Sequence, residues 1–138
     1  MFEIHDLFIS HSFINSNSQE KLTGLLKKEG DLLFRIHVVP RKLYNLKDEN
    51  ELHNAIHRRM KLCNVCIILA GVYHFYMNSI NLEIMIAKKE FTPPRPILVV
   101  KPDDKVIVSG IILDYSDEVV KWNAKSIGNA IRRLSAEG

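Results

Sequence analysis

The chain has 138 residues, of which 46% are hydrophobic and 25% are charged, as in an ordinary soluble globular protein. This length predicts a single domain, residues 1–138, with a core of its own. The formal charge of +3 is small and dispersed, which argues against nucleic acid as a partner. No apolar run approaches the length of a membrane span, and the N-terminus lacks a signal-peptide pattern. We therefore expect a cytoplasmic protein without a membrane partner.

Five apolar segments alternate with helical patterns along the chain. They are predicted as strands over His5–Ser10, Leu33–Val39, Val65–Ala70, Ile97–Lys101 and Glu118–Trp122. The third is an unbroken apolar run closed by Gly71, which is typical of a strand buried on both faces of a parallel sheet. The alternation predicts an α/β three-layer sandwich, with helices on both faces of a five-stranded parallel sheet in the flavodoxin-like order 2-1-3-4-5. Residues 102–117 fit a short strand, a turn of helix, or both. Pro40–Lys47 is predicted as a basic, irregular loop, because a strand cannot continue past its proline.

One acidic residue stands where this architecture binds ligands. Open α/β sheets bind at the carboxyl ends of their strands, beside the switch point between strands 1 and 3. The loop His11–Asn17 and the turn Gly71–Asn78 should therefore flank one crevice. The helix that follows starts near Asn78 or Ser79 and carries Glu83 in its first turns. Its helical position predicts a half-exposed side chain, for which a solvated glutamate is the simplest interpretation.

The same helix has two apolar stripes. Ile80, Ile84 and Ala87 should face the sheet, whereas a second patch lies on roughly the opposite side. That patch consists of Leu82, Met85 and Ile86. It predicts a homo-oligomer that docks through this helix. The alternative is that residues 102–117 fold over the patch and bury it within the monomer.

Several familiar chemistries lack their motifs. The chain has neither the glycine-rich dinucleotide fingerprint nor a P-loop. Cys63 and Cys66 lead into a strand instead of opening a helix, which favours small buried residues over a redox pair. The six histidines are scattered without ligand spacing, so neither a metal nor a permanently bound cofactor is expected.

Five segments in order carry a resemblance to a known family. They are DLFISHS (Asp6–Ser12), VVP (Val38–Pro40), IILAGVY (Ile67–Tyr73), NLEIMIAKK (Asn81–Lys89) and VVKWNAKSI (Val119–Ile127). Together they span nearly the whole chain. The chain resembles a TIR domain, most of all the prokaryotic TIR-like group that includes the ThsB proteins of Thoeris anti-phage systems.

The resemblance implies a domain that cleaves NAD, assembles with other TIR domains, or both. The catalytic glutamate of the NAD-cleaving members carries over to Glu83. The loops that line the nucleotide site carry over to Ser10, His11, Ser12, Pro40 and Lys42. Many members have a tryptophan four residues before the glutamate, and Ser79 occupies that place here. This departure is compatible with weaker or altered binding of the substrate, or with a non-enzymatic role.

The chemistry needs few groups. The nicotinamide of NAD leaves as a neutral ring, so a single carboxylate that stabilises the sugar cation would be enough. Tyr73, Phe75 or Tyr76 could stack on a ring of the substrate. The expected product is an ADP-ribose-type signal, which is hydrolysed, cyclised or transferred to another acceptor. A nucleotide-sensing effector protein would be the partner. The alternatives are an inactive TIR module that signals by self-association and a flavodoxin-like domain that binds another nucleotide.

Overall fold

The computed structural model describes residues 3–14, 17–45 and 47–137, and these contain one five-stranded parallel sheet. The strands are β1 (Ile4–Ile9), β2 (Leu33–His37), β3 (Val65–Leu69), β4 (Ile97–Lys101) and β5 (Glu118–Lys121). Their order is β2-β1-β3-β4-β5, and every neighbouring pair is parallel. The predicted α/β flavodoxin-like sheet is confirmed, with strand ends shifted by one or two residues.

Helices cover both faces of the sheet. They are α1 (Ser18–Lys27), α2 (Arg41–Tyr44), α3 (Glu49–Met60), α4 (Met77–Lys89), α5 (Gly110–Tyr115) and α6 (Ala124–Glu137). Two short 3-10 helices follow β1 and β3, over His11–Phe13 and Tyr73–Phe75. Helices α1 and α6 pack on one face, and helices α3, α4 and α5 pack on the other.

Strand β3 explains why the central apolar run has no polar interruption. Val65, Ile67 and Leu69 pack in the cluster formed with α1 and α6. Cys66 and Ile68 point the other way, into the cluster formed with α3, α4 and α5. Successive side chains of a strand alternate between its faces, so a strand covered on both sides must be apolar at every position.

The predicted loop and the undecided segment both contain a helix. The region after Pro40, expected to be an irregular loop, contains the short helix α2. Residues 102–117, which fitted a strand, a helical turn or both, contain α5 and no strand. Val106, Val108 and Ile111 from this region pack against the cluster that includes α4. Tyr44 of α2 bonds to Glu83, so α2 also covers part of α4.

The predicted exposed patch on α4 is wrong for one of its three members. Ile86 is 0% exposed and belongs to the same buried cluster as Ile80 and Ile84, because α4 is covered by α3 and α5 as well as by the sheet. Met85 remains 40% exposed, and Leu82 is partly buried. Part of the patch is therefore core, as the alternative interpretation had it. Self-association through the remaining exposed residues stays a prediction.

The cysteine pair is structural. Cys63 and Cys66 are both buried and free, and the Cys63 thiol donates to the carbonyl oxygen of Arg59 at 3.2 Å. Burial raises the pKa of the Cys63 thiol to about 12, so it holds its proton at neutral pH. The interpretation of these residues as small and buried is confirmed.

Adjacent positions on α4 provide a direct test of which side is core. Ile86→Ala should lower the free energy of unfolding by about 2–5 kcal/mol, because it removes buried methyl groups and leaves a cavity. Met85→Ala should change it by no more than about 1 kcal/mol. Urea unfolding followed by circular dichroism measures both values. Equal losses in the two variants would contradict the assignment of Ile86 to the interior.

Candidate functional site

The site forms where β1 and β3 end side by side. These strands are paired, so the segments that follow them emerge at the same edge of the sheet. After β3 the chain turns at Gly71, whose φ of +98° is a conformation that side chains rarely adopt. A Cβ at this position would also lie 3.0 Å from Val106 Cγ1. This turn leads through the second 3-10 helix into α4, which places Glu83 behind the loop after β1.

Hydrogen bonds from backbone N–H groups hold the side chains of the two serines that follow β1, Ser10 and Ser12. Ser10 caps the first 3-10 helix, and its hydroxyl oxygen accepts from the backbone N–H of Ser12 at 3.0 Å. The Ser12 hydroxyl accepts from the N–H of Leu69 at 2.8 Å, which ties this turn to the end of β3. Both side chains are buried. Ser12 thus lies in the interior, and only Ser10 makes direct contact with Glu83.

Glu83 accepts three hydrogen bonds, which come from two separate parts of the chain. Its Oε1 accepts from the Ser10 hydroxyl at 2.6 Å. Its Oε2 accepts from the backbone N–H of His11 at 2.9 Å and from the Tyr44 hydroxyl at 2.9 Å. The side chain is 2% exposed, so the expectation of a half-exposed, solvated glutamate is wrong. The helical position did not reveal that α2 and the loop after β1 cover this flank of α4.

The pKa of the Glu83 carboxyl group lies near neutral pH. Burial raises the pKa of Glu83 from its ordinary 4.5 to about 7, because the ionised form loses its hydration. The hydrogen bonds from Ser10, His11 and Tyr44 oppose this shift by stabilising the charge. At neutral pH the protonated and ionised forms of Glu83 are therefore both populated.

An aromatic pair covers the carboxylate. The rings of His11 and Tyr44 stack with centroids 3.8 Å apart and an interplanar angle of 2°, and the Tyr76 ring lies 4.7 Å from that of His11. Burial, with a smaller effect of the Arg41 charge, lowers the pKa of His11 to about 4. His11 is therefore neutral at pH 7. Burial also raises the pKa of the Tyr44 hydroxyl, which remains a proton donor.

Ser79 is part of this arrangement. Its Oγ lies 2.6 Å from His11 Nδ1 and 3.2 Å from the carbonyl oxygen of Tyr76. A hydroxyl proton serves one acceptor at a time, so when Ser79 donates to Tyr76, His11 Nδ1–H donates to Ser79. The residue in the place of the usual tryptophan thus fixes the orientation of the His11 ring.

A cleft of about 630 Å³ opens in front of these residues. It lies between the turn after β1, the helix α2 and the start of α4, and its lining includes His11, Arg41, Asn45, Tyr76, Asn78 and Ser79. Glu83 is not among the lining residues, because His11 and Tyr44 stand in front of it. The volume is within the range of small-molecule sites.

The other predicted binding residues lie further away. Pro40 precedes α2 and lines a separate cavity of about 390 Å³, and Lys42 is exposed on α2. The Tyr73 hydroxyl donates to Asn81 Oδ1 at 2.8 Å, and its ring packs against the core beneath α4. The structure therefore brings together Ser10, His11, Ser79 and Glu83. Binding roles for Pro40, Lys42, Ser12 and Tyr73 stay predictions.

Sequence reasoning missed Tyr44. Tyr44 contacts both Glu83 and His11. The residues of this basic segment that were predicted for the site are Pro40 and Lys42 instead. The one available signal was an isolated aromatic residue in a polar stretch after Pro40. Its partner is 39 positions further along the chain, so no local spacing connects the two.

Among residues 3–14, 17–45 and 47–137, no group of three or more His, Cys, Asp or Glu side chains is arranged to hold a metal ion. Within the same residues, no helix has the length and apolarity needed to cross a bilayer.

The raised pKa of Glu83 makes stability depend on pH. The folded chain keeps this proton up to about pH 7, whereas the unfolded chain releases it near pH 4.5, so the wild-type protein loses stability as pH rises between these values. Glu83→Gln has no proton to release. Its amide oxygen can accept from His11 and Tyr44, and its NH₂ group can donate to Ser10 Oγ.

The unfolding free energy of Glu83→Gln relative to wild type should therefore rise by about 3 kcal/mol between pH 4.5 and 8. Urea unfolding of both proteins across this range measures the difference. A difference that stays constant with pH would show that the pKa of Glu83 is not raised in the fold.

Comparison with known proteins identifies the family. The family described as "Thoeris protein ThsB, TIR-like domain" matches residues 8–106, which is well over half of the chain. The matched part includes Glu83 and all of its hydrogen-bond donors. A search of curated proteins finds none that matches this chain. Family match and sheet order agree: the chain belongs to the ThsB TIR-like family of Thoeris defence systems.

Proposed function

We propose that this TIR domain cleaves the bond between nicotinamide and ribose in NAD, with Glu83 as the catalytic carboxylate, and so makes an ADP-ribose-type signal for anti-phage defence. The observation that carries the proposal is the buried Glu83 carboxyl, whose pKa is raised to about 7, behind a cleft large enough for a nucleotide. Perturbed carboxyl groups beside a cleft are typical of catalytic sites.

The reaction requires charge stabilisation more than proton transfer to the leaving group. The C–N bond breaks with its electron pair staying on the ring nitrogen, which converts the pyridinium into neutral nicotinamide. The ribose is left as an oxocarbenium-like cation, which an ionised carboxylate stabilises. Water or another hydroxyl then adds to the sugar carbon and loses a proton. Glu83 can accept that proton because its pKa lies near neutrality.

The residues around Glu83 fit the remaining tasks. Arg41 lines the cleft and donates one N–H to the carbonyl oxygen of Ile14 at 2.7 Å, which leaves other guanidinium N–H groups for a diphosphate. Tyr76 offers a ring at the cleft surface. The substrate reaches Glu83 when the ring of Tyr44 or His11 moves aside, since both cover the carboxylate.

Two glutamates, Glu83 on α4 and Glu90 directly after it, provide a matched test of the catalytic assignment. Glu83→Gln should lower nicotinamide release by about 10²–10³-fold or more, as expected for loss of an electrostatic stabiliser. Glu90→Gln should keep wild-type turnover, because Glu90 follows α4 at its far end and bonds to His53 and His57 instead. Chromatography of NAD reactions measures both. Equal activity in wild type and Glu83→Gln would exclude catalysis by this residue, and an inactive wild type would favour the interaction module.

The pH dependence tests which form of Glu83 acts. If the ionised carboxylate stabilises the cation, turnover should rise with pH and level off above about 7. Tyr44→Phe removes a hydrogen bond that lowers this pKa, so it should move the rise to higher pH. Initial rates at NAD concentrations far below KM, measured from pH 5 to 9, give both profiles for the free protein, in which Tyr44 bonds to Glu83. A Tyr44→Phe profile that moves to lower pH would contradict the role given to the hydroxyl.

A further inference from the structure

A small cavity adjoins the residues that hydrogen-bond to Glu83. Its volume is about 40 Å³, which is room for at least one water molecule. Ser10, His11 and Tyr44 all contribute to its lining. These same residues donate the three hydrogen bonds to the Glu83 carboxylate, which does not itself line the cavity. A water molecule in this cavity is therefore one residue removed from the carboxyl group.

The small cavity adjoins the protein surface on the side where α1 begins. It shares most of its lining with the cavity of about 390 Å³ beside Pro40, which we call the outer cavity. The shared residues are Phe13, Ile14, Gln19, Val38 and Val39. Arg41 lines both the outer cavity and the cleft, and its Nη2 group donates to the carbonyl oxygen of Ile14 at 2.7 Å. This side chain thus stands between the outer cavity and the cleft.

The Ser10 hydroxyl can serve Glu83 in either protonation state. A hydroxyl has one proton and two acceptor lone pairs. One lone pair of Ser10 accepts from the N–H of Ser12 at 3.0 Å, and the proton goes to Glu83 Oε1 at 2.6 Å. When Glu83 is protonated on Oε1, it donates to the second lone pair of Ser10. The Ser10 proton then needs another acceptor, which a water molecule in the small cavity supplies.

The other oxygen of Glu83 is less suited to carry the proton. Oε2 accepts from the backbone N–H of His11 at 2.9 Å, and a backbone donor cannot turn away. The Tyr44 hydroxyl donates to the same oxygen. Two donors at Oε2 and one rotatable hydroxyl at Oε1 therefore favour protonation on the side of Ser10.

The other titratable groups described around Glu83 are poor acceptors for its proton at neutral pH. Burial raises the pKa of the Tyr44 hydroxyl and of the Cys66 thiol, so both keep their own protons. Burial lowers the pKa of His11 to about 4, which makes its ring a weak base. Two arginines act on these groups through their charge, Arg41 and Arg59. The proton of Glu83 must therefore pass to solvent, and a substrate in the cleft blocks escape on that side.

We propose that the small cavity is a water-filled route by which Glu83 releases its proton to solvent while the cleft is occupied. The bond between Oε1 and the proton breaks, and that proton passes to Ser10 Oγ. Ser10 gives its original proton to the cavity water, which transfers one to water in the outer cavity. Glu83 loses one proton and solvent gains one, while Ser10 again donates to Oε1. This inference rests on the proposed function, because only the ionised carboxylate stabilises the sugar cation.

Water in the small cavity can be detected in the free protein by NMR. Ile9 and Ser10 are 2% and 3% exposed, and they line the small cavity but neither the cleft nor the outer cavity. In a protein labelled with ¹⁵N and with ¹³C at the isoleucine methyls, magnetisation from water should reach Ile9 or Ser10. The methyls of Ile67, which is 0% exposed on the neighbouring strand, should receive none. Wild-type protein without transfer to either Ile9 or Ser10 would overturn the proposal.

A pair of tryptophan variants tests where the water enters. Val38 is 39% exposed on the wall that the small and outer cavities share, and Leu33 is 41% exposed at the start of β2, outside both cavities. Val38→Trp should fill the junction and weaken the transfer from water to Ile9 and Ser10. Leu33→Trp should preserve it. Equal transfer in the two variants would reject entry through this junction.

A pH jump tests the route with NAD in the cleft. Protein is mixed with saturating NAD at about pH 5.5, where Glu83 is mostly protonated, and then brought to about pH 8.5. Wild type and Leu33→Trp should release nicotinamide without delay. Val38→Trp should show a lag, because its proton leaves only after NAD dissociates, whereas at constant high pH it should match wild type. Absence of a lag in Val38→Trp would overturn the route.

Failure of this inference can be separated from failure of the proposed function. A protein that leaves NAD intact while water reaches Ile9 or Ser10 would lose the catalytic proposal and retain the hydrated route to Glu83. A protein that cleaves NAD while neither residue receives magnetisation from water would retain catalysis and reject the route.

Discussion

The buried carboxylate of Glu83 is the constraint on which the site depends. Removing such a group from water costs several kcal/mol unless hydrogen bonds replace its hydration. Three donors supply that replacement, from the turn after β1 and from α2. Their positions are fixed in turn by the pairing of β1 with β3 and by the contact of the Ser12 hydroxyl with β3. Loss of any one of these donors would leave the buried carboxylate with fewer hydrogen bonds to replace its hydration.

The three hydrogen-bond donors have two opposing effects on Glu83. The donors keep Glu83 from a still higher pKa, yet the same donors occupy the oxygens that a substrate would need. The Tyr44 hydroxyl is the donor easiest to replace, because a ribose hydroxyl donating to Oε2 would keep the number of hydrogen bonds at three. Binding and exposure of the carboxylate can therefore occur together, without an intermediate in which the charge is buried and unpaired.

Position 79 departs from the tryptophan that many related domains have there. The serine orients His11 through a short hydrogen bond. His11 in turn stacks on Tyr44, so an aromatic surface lies beside Glu83 without a tryptophan.

The sequence by itself determined the sheet and the place of the candidate catalytic residue, Glu83. The unbroken apolar run of β3 and the alternation of strands with helices were sufficient to predict the sheet, because a strand buried on both faces is apolar at every position. The place of Glu83 followed from what comes after that strand. Its burial, its bond to Tyr44 and the burial of Ile86 were decided only by the tertiary structure, since they depend on α2 and α5 packing over α4. Such contacts join positions far apart in the chain, and helical periodicity records only which side of a helix faces its own sheet.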